Sequence, residues 1–232
     1  MDARTFARMV CCGKAMHQHC FEGIMKSKMS HAQKNRCPEC RQNFPTTDEE
    51  EIKQVRVWVD KGKAWAETLL ANIYYFGKGV PQSYEEAIRY LNMAVKQGDP
   101  NARYDLADMY RDGQGVTQSF DNAAELFAMA ANQRHAGAQF GLGRAYESGK
   151  GVAQSFAKSF ELFALAAKQG HEIAQYYLGH AYYQGNGVAQ SDDMTRKWWL
   201  KAALQGDVDA VKDLKHLDEE EGKTTPTLPC CA

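Results

Sequence analysis

Apolar residues recur along most of the chain at a spacing of 36 residues. An alanine opens each period, a leucine follows four residues later, and a tyrosine follows that leucine by four in the first four periods. The alanines are Ala66, Ala102, Ala138, Ala174 and Ala210. Within a period the apolar residues fall mainly at positions 1, 5, 8 and 9, the spacing of one face of an α-helix. A spacing kept in register over this many periods predicts a repeat protein.

Each period predicts two helices joined by a glycine turn. The first helix ends at a G-x-G-V segment, and these segments begin at Gly77, Gly113, Gly149 and Gly185. Glycine accepts the left-handed conformations that end a helix. A serine follows each turn and can cap the second helix; these serines are Ser83, Ser119, Ser155 and Ser191. One hairpin cannot bury its apolar stripe alone, so we expect the hairpins to stack.

The repeated residues resemble the Sel-1-like repeat, a relative of the tetratricopeptide repeat. The match runs A-x-x-x-L, Y-x-x-G-x-G-V and A-x-x-x-x-x-x-A-A through each period. The resemblance covers roughly residues 47–221 and implies an all-α fold, a right-handed α-solenoid of helix hairpins. The expected segments are a leading half-repeat helix at 46–65, repeats at 66–101, 102–137, 138–173 and 174–209, a capping helix at 210–222 and a disordered tail at 223–232.

Cysteine placement and charge bear on compartment and partner class. The chain has 232 residues and seven cysteines, of which five lie in the first 40 residues and none in residues 41–229. A secreted disulfide scaffold would crosslink its body, so we expect a reducing compartment, the cytoplasm, with the nucleus as the alternative. The net charge of −1 argues against a nucleic-acid partner. No apolar run approaches the length of a membrane span.

The first 45 residues carry closely spaced thiol and imidazole side chains, which are typical of tetrahedral zinc sites. The candidate Zn²⁺ ligands are Cys11, Cys12, His17, Cys20, Cys37 and Cys40. His19 is an alternative to His17, and Cys12 is the better ligand of the adjacent cysteines because neighbouring side chains diverge. Free or buried thiols are the alternative to a zinc site.

With the Cys37-Pro-Glu-Cys40 segment, residues 1–45 resemble the RING-type zinc finger. That family holds two zinc ions with four ligand pairs, and the pairs present here match the second, third and fourth. The resemblance implies a zinc-stapled module with its first ligand pair missing, which would bind one zinc ion or two. It also implies that Pro38 and Arg41 contact a ubiquitin-conjugating enzyme, although Arg41 fits a solvated surface charge equally well.

The first helices of the repeats carry a candidate partner-binding groove. Position 3 is Thr68, Tyr104, Phe140 and Tyr176 in successive repeats, and we expect these side chains to pack between repeats. Position 7 is Asn72, Asp108, Arg144 and His180. Position 7 is polar in every repeat and differs between them, which suits recognition of a protein partner. A solvated face is the alternative.

Two functions fit these features. The first is an interaction scaffold or adaptor in which the zinc module is a structural cap. The alternative is a RING-type ubiquitin-protein ligase whose repeats select the substrate. The chain shows no nucleophile–base pattern, so neither function gives it an active site of its own. We expect His135 and His171 at the surface, and free thiols rather than lipidation at Cys230 and Cys231.

Overall fold

The computed structural model describes residues 45–221, which form ten α-helices and no β-strand within that range. The helices are α1 (Asp48–Val59), α2 (Ala64–Phe76), α3 (Tyr84–Lys96), α4 (Pro100–Asp112), α5 (Phe120–Asn132), α6 (Ala136–Ser148), α7 (Phe156–Lys168), α8 (Glu172–Gln184), α9 (Asp192–Gln205) and α10 (Val208–Glu221). They belong to two compact units, a first unit up to Ala102 and a second unit from Arg103.

Helices that follow one another in the chain also pack against one another. In the first unit α2 contacts both α1 and α3. In the second unit each helix from α5 to α10 contacts the helix before or after it, without a break in the series. This arrangement is the stacking of helix hairpins expected from the sequence, so the all-α repeat class is confirmed for the described residues.

The first helix of each repeat begins two residues before the alanine that marks the period. The side chain just before α4 and α10 accepts a backbone N–H: Asp99 accepts from Ala102 at 2.9 Å and Asp207 accepts from Ala210 at 2.8 Å, whereas Lys63 before α2 makes no such bond. Such a contact satisfies an N–H group that has no partner inside the helix. At α4 and α10 the cap therefore stabilises a helix start that lies before the apolar pattern begins.

His135 and His171 cap the N-termini of α6 and α8 in the same way. Nδ1 of His135 accepts the Ala138 N–H at 3.0 Å, and Nδ1 of His171 accepts the Ala174 N–H at 3.2 Å. Only a neutral imidazole can accept in this way, and burial lowers the pKa of His171, which favours that form. The expected surface position is wrong, because both rings are half-buried caps.

The serines expected at the start of the second helices are confirmed as caps. In each repeat the serine Oγ accepts the backbone N–H three residues later, at distances between 3.2 and 3.4 Å. The glycine turns are also confirmed, since the first glycine of these turns has a φ close to +70°. Arg134, which replaces the glycine found at this place in other repeats, keeps the left-handed backbone with a φ of 63°.

The second glycine of a turn lies against the preceding repeat. A Cβ added to Gly151 would overlap the backbone carbonyl of Phe120, the first residue of α5. A Cβ added to Gly187 would overlap the carbonyl of Phe156, the first residue of α7. Both glycines have a φ near +75°, so space and conformation each require glycine. These two turns are therefore each seated on the second helix of the repeat before them.

One ring position forms the centre of the core in the second unit. Phe127, Phe163 and Trp199 are spaced 36 residues apart and are each at most 2% exposed. Small residues on the first helices make room for these rings: a Cβ on Gly143 would come within 2.7 Å of Phe163, and one on Gly179 would collide with Trp199. The rings of Phe163 and Trp199 therefore occupy the space that a side chain at Gly143 or Gly179 would need.

In three repeats a partly buried side-chain pair joins the start of the first helix to the end of the second helix. The amide of Gln169 donates to Gln139 at 2.6 Å, and that of Gln205 donates to Gln175 at 2.7 Å. In the first repeat the amide of Gln97 donates to Glu67 at 2.8 Å. Each hydrogen bond satisfies polar atoms that would be costly to bury alone.

Glu67 is the one carboxyl among these three pairs, and we expect Glu67→Gln to stabilise the first repeat. Burial, with a smaller contribution from Asp99, raises the pKa of Glu67, although the Gln97 hydrogen bond opposes this. An acid with a raised folded-state pKa costs stability when ionised, so stability rises as the pH falls through that pKa. The variant should gain up to about 1 kcal/mol at pH 7.

The gain is measured as slower hydrogen exchange of the α2 and α3 amides at pH 7, corrected for intrinsic rates. It should shrink as the pH is lowered toward the ordinary glutamate value, where both chains carry a neutral side chain. Glu125→Gln, at an exposed position, is the matched control and should change exchange little. Faster exchange in Glu67→Gln at pH 7 would contradict the proposed cost of the buried carboxylate.

Candidate partner-binding face

Partly exposed side chains line the first helices of the repeats in the second unit. We call the side chains at positions 7 and 10 of α4, α6 and α8 the A-helix face: Asp108, Arg111, Arg144, Glu147, His180 and Tyr183. Three of the four expected partner-binding residues belong to it. The fourth, Asn72, lies half-buried on α2 in the first unit.

The position 3 side chains pack beneath this face, as expected. Tyr104 stacks on His135 with ring centroids 4.8 Å apart, and Phe140 stacks on His171 at 5.2 Å. Tyr176 lies against Trp199, and Thr68 in the first unit is buried. The stacked histidines are the helix caps of the following repeat. Position 3 is therefore part of the packing and holds the exposed residues in place.

An ion-paired cluster occupies the α4 part of the face. Arg111 pairs with Asp108 at 2.6 Å and with Asp112 at 2.8 Å. Burial raises the pKa of Asp108, while Arg111 and a hydrogen bond from Tyr104 act in the opposite direction. The hydrogen bond from Arg111 lowers the pKa of Asp112. One arginine thus serves two carboxylates here, and this part of the face has a surplus of negative charge.

Arg144 is the most accessible charge at position 7. Its guanidinium bonds Glu147 at 2.8 Å and lies 4.5 Å from the centre of the Tyr177 ring on α8. Its side chain is still 46% exposed. A cation held over an aromatic ring is pre-oriented and loses less freedom when it binds a partner's carboxylate. Arg144 is therefore the best-placed side chain for an ionic contact.

A cavity of about 430 Å³ adjoins Arg144 between α4, α5 and α6. Apolar side chains of α5 and α6, including Phe120, Phe127 and Phe140, line it together with Arg111, Arg144 and Lys150. Gly141 borders the cavity at the position where α8 carries Tyr177. A Cβ on Gly141 would come within 2.8 Å of the Phe127 ring, so that ring takes the place that a side chain at position 141 would need.

His180 lies among aromatic rings at the α8 part of the face. Its ring is edge-on to Tyr176, Tyr183 and Trp199, with centroid separations between 5.3 and 6.3 Å. Its Nε2 lies 3.7 Å from Oδ2 of Asp213 on α10. The face therefore changes in chemistry along the repeats, from paired charges at α4 to an aromatic group at α8.

Position 7 of this face was identified from the sequence, but position 10 was not. Asp213, the residue that α10 contributes, was not identified either. Arg111, Glu147 and Tyr183 stand one turn beyond position 7 and differ between repeats in the same way. That variation was a usable signal. Asp213 does not stand out from the period, because its equivalents in the two preceding repeats are Tyr177 and Gly141, and a carboxylate recurs only at Asp105, three periods earlier.

The other site predictions lie outside the described residues. These are the zinc ligands Cys11, Cys12, His17, Cys20, Cys37 and Cys40, the contacts Pro38 and Arg41, and the terminal Cys230 and Cys231. Within residues 45–221, no group of three or more His, Cys, Asp or Glu side chains could hold a metal ion. In the same range, no helix combines the length and apolar character needed to cross a membrane.

The repeats match a known family. The family model described as Sel1 repeat matches residues 66–99, 100–135, 136–171 and 173–207. Its boundaries follow the observed helices closely, since each of its four repeats begins within two residues of the start of a first helix. The RING-type resemblance of residues 1–45 finds no such match. A search of curated proteins found no similar sequence.

Solved structures share this repeat architecture. The chain is 32% identical to c5321, a protective antigen of uropathogenic Escherichia coli, with a TM-score of 0.71 over 73% of this chain and 36% of that one. It is 34% identical to a Sel1 repeat protein from Oxalobacter formigenes, with a TM-score of 0.69 over 75% and 51% of the two chains. The chain thus spans about a third and about half of these two proteins. The Pseudomonas aeruginosa immunity protein PA5088, 22% identical with a TM-score of 0.52 over 83% and 67% of the two chains, shares the fold alone.

Proposed function

The chain belongs to the Sel1 repeat family, and from this premise we propose that it is a protein-interaction scaffold whose A-helix face binds a protein partner. One observation carries the proposal. On a framework repeated every 36 residues, positions 7 and 10 remain partly exposed and change in chemistry along the second unit. Position 7 is Asp108, Arg144 and His180 in successive repeats, and position 10 is Arg111, Glu147 and Tyr183. Side chains needed only for packing would repeat with the framework, as Phe127 and Phe163 do.

The geometry supports recognition of an extended segment with mixed chemistry. The face offers a carboxylate pair around Arg111, the accessible guanidinium of Arg144 and an aromatic group at His180. The cavity beside Arg144 has room for an apolar side chain of the partner, and a neighbouring carboxylate of the partner would then lie next to Arg144. Arginine and aromatic residues are the types enriched among residues that dominate binding energy. A partner segment with an acidic residue near an apolar one would match this surface.

We expect Arg144→Glu to weaken partner capture strongly. The change reverses the most accessible charge on the face and removes its contact with Tyr177. An arginine anchor at an interface is worth about 1–2 kcal/mol or more, which corresponds to a loss of about fivefold to thirtyfold in affinity. The measurement is quantitative mass spectrometry of proteins retained from cell extract by the full chain and by the variant.

Lys168→Glu is the matched control, because Lys168 is exposed on α7 away from the face and undergoes the same charge reversal. Both variants should keep the helical circular dichroism and nearly the same melting temperature, since the Arg144–Glu147 pair is exposed. The proposal is overturned if the retained proteins are unchanged in Arg144→Glu and in the double variant Arg144→Glu/His180→Ala.

We propose further that residues 1–45 form a zinc-binding module of the scaffold. The support is the sequence alone: six thiol and imidazole side chains within 30 residues, including the Cys37-Pro-Glu-Cys40 segment. Cys12, Cys37 and Cys40, with Cys11 as the fourth, would provide thiolates for one ion. His17 and Cys20 would be candidate ligands of a second ion. The cysteine-free body between residues 41 and 229 suits a reducing compartment, so we place the scaffold in the cytoplasm or nucleus.

The purified chain is expected to contain one zinc ion for each molecule. Elemental analysis after purification without chelator measures this ratio. Cys37→Ser/Cys40→Ser should lower it to near zero, whereas Cys230→Ser/Cys231→Ser, which removes the same number of thiols at the other terminus, should leave it unchanged. Metal-free protein would contradict the zinc module. Two ions for each chain would show that His17 and Cys20 have further ligands.

The alternative function is a RING-type ubiquitin-protein ligase whose repeats select the substrate. It is favoured by Cys37-Pro-Glu-Cys40 followed directly by Arg41, where Pro38 and Arg41 would contact a ubiquitin-conjugating enzyme. Autoubiquitination in a reconstituted assay, lost in Arg41→Ala, would favour the ligase over the scaffold.

A further inference from the structure

A second, smaller pocket lies between α8, α9 and α10. It has a volume of about 130 Å³ and is lined by His180, Tyr183, Trp199, Asp213, His216 and Leu217. At about 30 Å³ for each water molecule, it has room for roughly four waters. That volume suits the end of one side chain and is too small for a helix or a folded loop.

Aromatic rings form most of the pocket wall. Trp199 is only 2% exposed and lies at the back, with the Tyr183 ring at 5.5 Å and the His180 ring at 5.6 Å between centroids. The backbone carbonyl of Tyr176 accepts the indole N–H of Trp199 at 3.1 Å, which fixes the orientation of the indole. Aromatic faces carry partial negative charge and attract cations.

A carboxylate stands at the same pocket. Asp213 Oδ2 accepts the Tyr176 hydroxyl at 2.8 Å, and the Asp213 side chain remains 35% exposed. The 3.7 Å separation from His180 Nε2 is too long for a hydrogen bond. Asp213 Oδ1 makes no hydrogen bond to any residue in the described part of the chain. Burial and the carboxylates of Asp213, Asp209 and Asp207 raise the pKa of Tyr176, as expected where the local potential is negative.

Elsewhere in the second unit the chain places its own cations on its rings. The guanidinium of Arg144 lies over Tyr177, Lys201 lies 4.4 Å from the Trp198 ring centre, and Lys158 lies 5.0 Å from that of Tyr146. Within residues 103–221, no lysine or arginine lies over Trp199 or Tyr183. His180 holds the repeat position that Arg144 holds one repeat earlier. The pocket thus has the rings and the carboxylate without a lysine or arginine of its own unit.

We propose that this pocket binds one basic side chain, lysine or arginine, presented by the partner protein. The inference rests on the proposed scaffold function, because the partner carries the ligand. Asp213 Oδ1 accepts a hydrogen bond from the ammonium or guanidinium group, while the rings of Trp199 and Tyr183 contact the same cationic group. The combination of rings and carboxylate is not repeated: the residues equivalent to Asp213 in the two preceding repeats are Tyr177 and Gly141, and where the third has Asp105, the residue equivalent to Trp199 is Leu91. It therefore fixes the register of the partner along the repeats.

Single-residue probes test the pocket without the partner. N-acetylarginine amide is titrated into the ¹⁵N-labelled full chain, and the indole N–H resonance of Trp199 is followed. N-acetylcitrulline amide is the uncharged analogue of nearly the same shape. We expect a saturable shift with arginine at a dissociation constant on the order of millimolar, and at least tenfold weaker binding of citrulline. Equal binding of the two probes, or no saturable shift, overturns the pocket.

Two matched pairs of variants assign the contacts. Asp213→Asn should weaken arginine binding at least tenfold, whereas Asp209→Asn, one turn earlier on α10 and 70% exposed, should stay within twofold of the original chain. Tyr183→Leu should weaken binding at least fivefold, whereas Tyr183→Phe keeps the ring and should stay within twofold. The Tyr183 pair keeps the test decisive if Asp213→Asn unfolds, because Asp213 also holds Tyr176.

The outcomes separate this inference from the proposed function. If arginine fails to bind while Arg144→Glu still abolishes partner capture, the scaffold stands and the pocket is refuted. In the opposite case, arginine binds and the pocket variants weaken it as expected, but substitutions on the A-helix face leave partner capture unchanged. The pocket then stands as a cation site and the scaffold proposal is overturned.

Discussion

Replacing Phe163 by alanine is expected to destabilise the second unit by about 3–5 kcal/mol. The Phe163 side chain is 1% exposed and contacts the rings of Phe140 and Tyr177, at 5.6 and 5.5 Å between centroids. Gly143 offers no side chain that could move into the space. The cavity would therefore remain largely open, which places the cost in the upper part of the range for large-to-small changes.

The effect should spread beyond one repeat. Phe140 and Tyr177 stand on α6 and α8, on either side of α7, so the loss weakens packing in both directions. Repeats of this kind depend on the interfaces with their neighbours for much of their stability. Hydrogen exchange should consequently become faster in α6, α7 and α8 together, and urea unfolding should begin at a lower concentration.

Leu165→Ala is the matched control, because Leu165 lies on the same helix and is 48% exposed. It should change the stability by no more than about 0.5 kcal/mol. A loss below 1 kcal/mol for Phe163→Ala would show that the core closes over the missing ring. Faster exchange limited to α7 would show that neighbouring repeats are coupled less than their ring contacts indicate.

The second large effect is expected at Gly151. Alanine there must adopt a left-handed backbone, which costs about 1–2 kcal/mol, and its Cβ would overlap the Phe120 carbonyl. Overpacking against well-ordered atoms adds about 1–3 kcal/mol. The obstacle is backbone, so a rotamer change cannot relieve it. We expect Gly151→Ala to lower the free energy of unfolding by about 2–5 kcal/mol in total.

Gly170→Ala separates the two contributions. Gly170 also has a left-handed backbone, with a φ of +87°, but nothing lies within 4 Å of an added Cβ. This variant should lose only the conformational part, about 1–2 kcal/mol. Urea unfolding followed by circular dichroism measures both. Equal losses in the two variants would mean that the turn moves away from α5 at little cost.

The repeats, serine caps and glycine turns could be predicted from the sequence because each depends on local chemistry repeated at one spacing. The caps at His135 and His171 could not. Histidine is an unusual N-cap, and its choice depends on the ring of Tyr104 or Phe140 beneath it. That support comes from more than 30 residues earlier in the chain. A local pattern therefore predicted a surface position for residues that the stacking partly buries.

The candidate face was predictable in part, for a similar reason. Position 7 could be found because comparison of repeats shows which polar positions vary. The group formed by Tyr183, Trp199 and Asp213 depends on how one repeat meets the next, and Asp213 breaks the period. Only the packed helices bring that carboxylate next to the rings. The proposed zinc module lies outside the described residues, and elemental analysis is the direct test of it.

The seating of these two turns on the preceding repeat has a consequence for how such a chain can change in length. Gly151 lies on Phe120 and Gly187 lies on Phe156, so the same contact recurs after one full period. A gene duplication or deletion that spans one whole period, between equivalent codons, recreates every such contact at the new junction. Any other insertion between helices displaces a turn from its seat. Whole-period recombination is therefore the mutational route by which this chain can gain or lose binding positions while remaining folded.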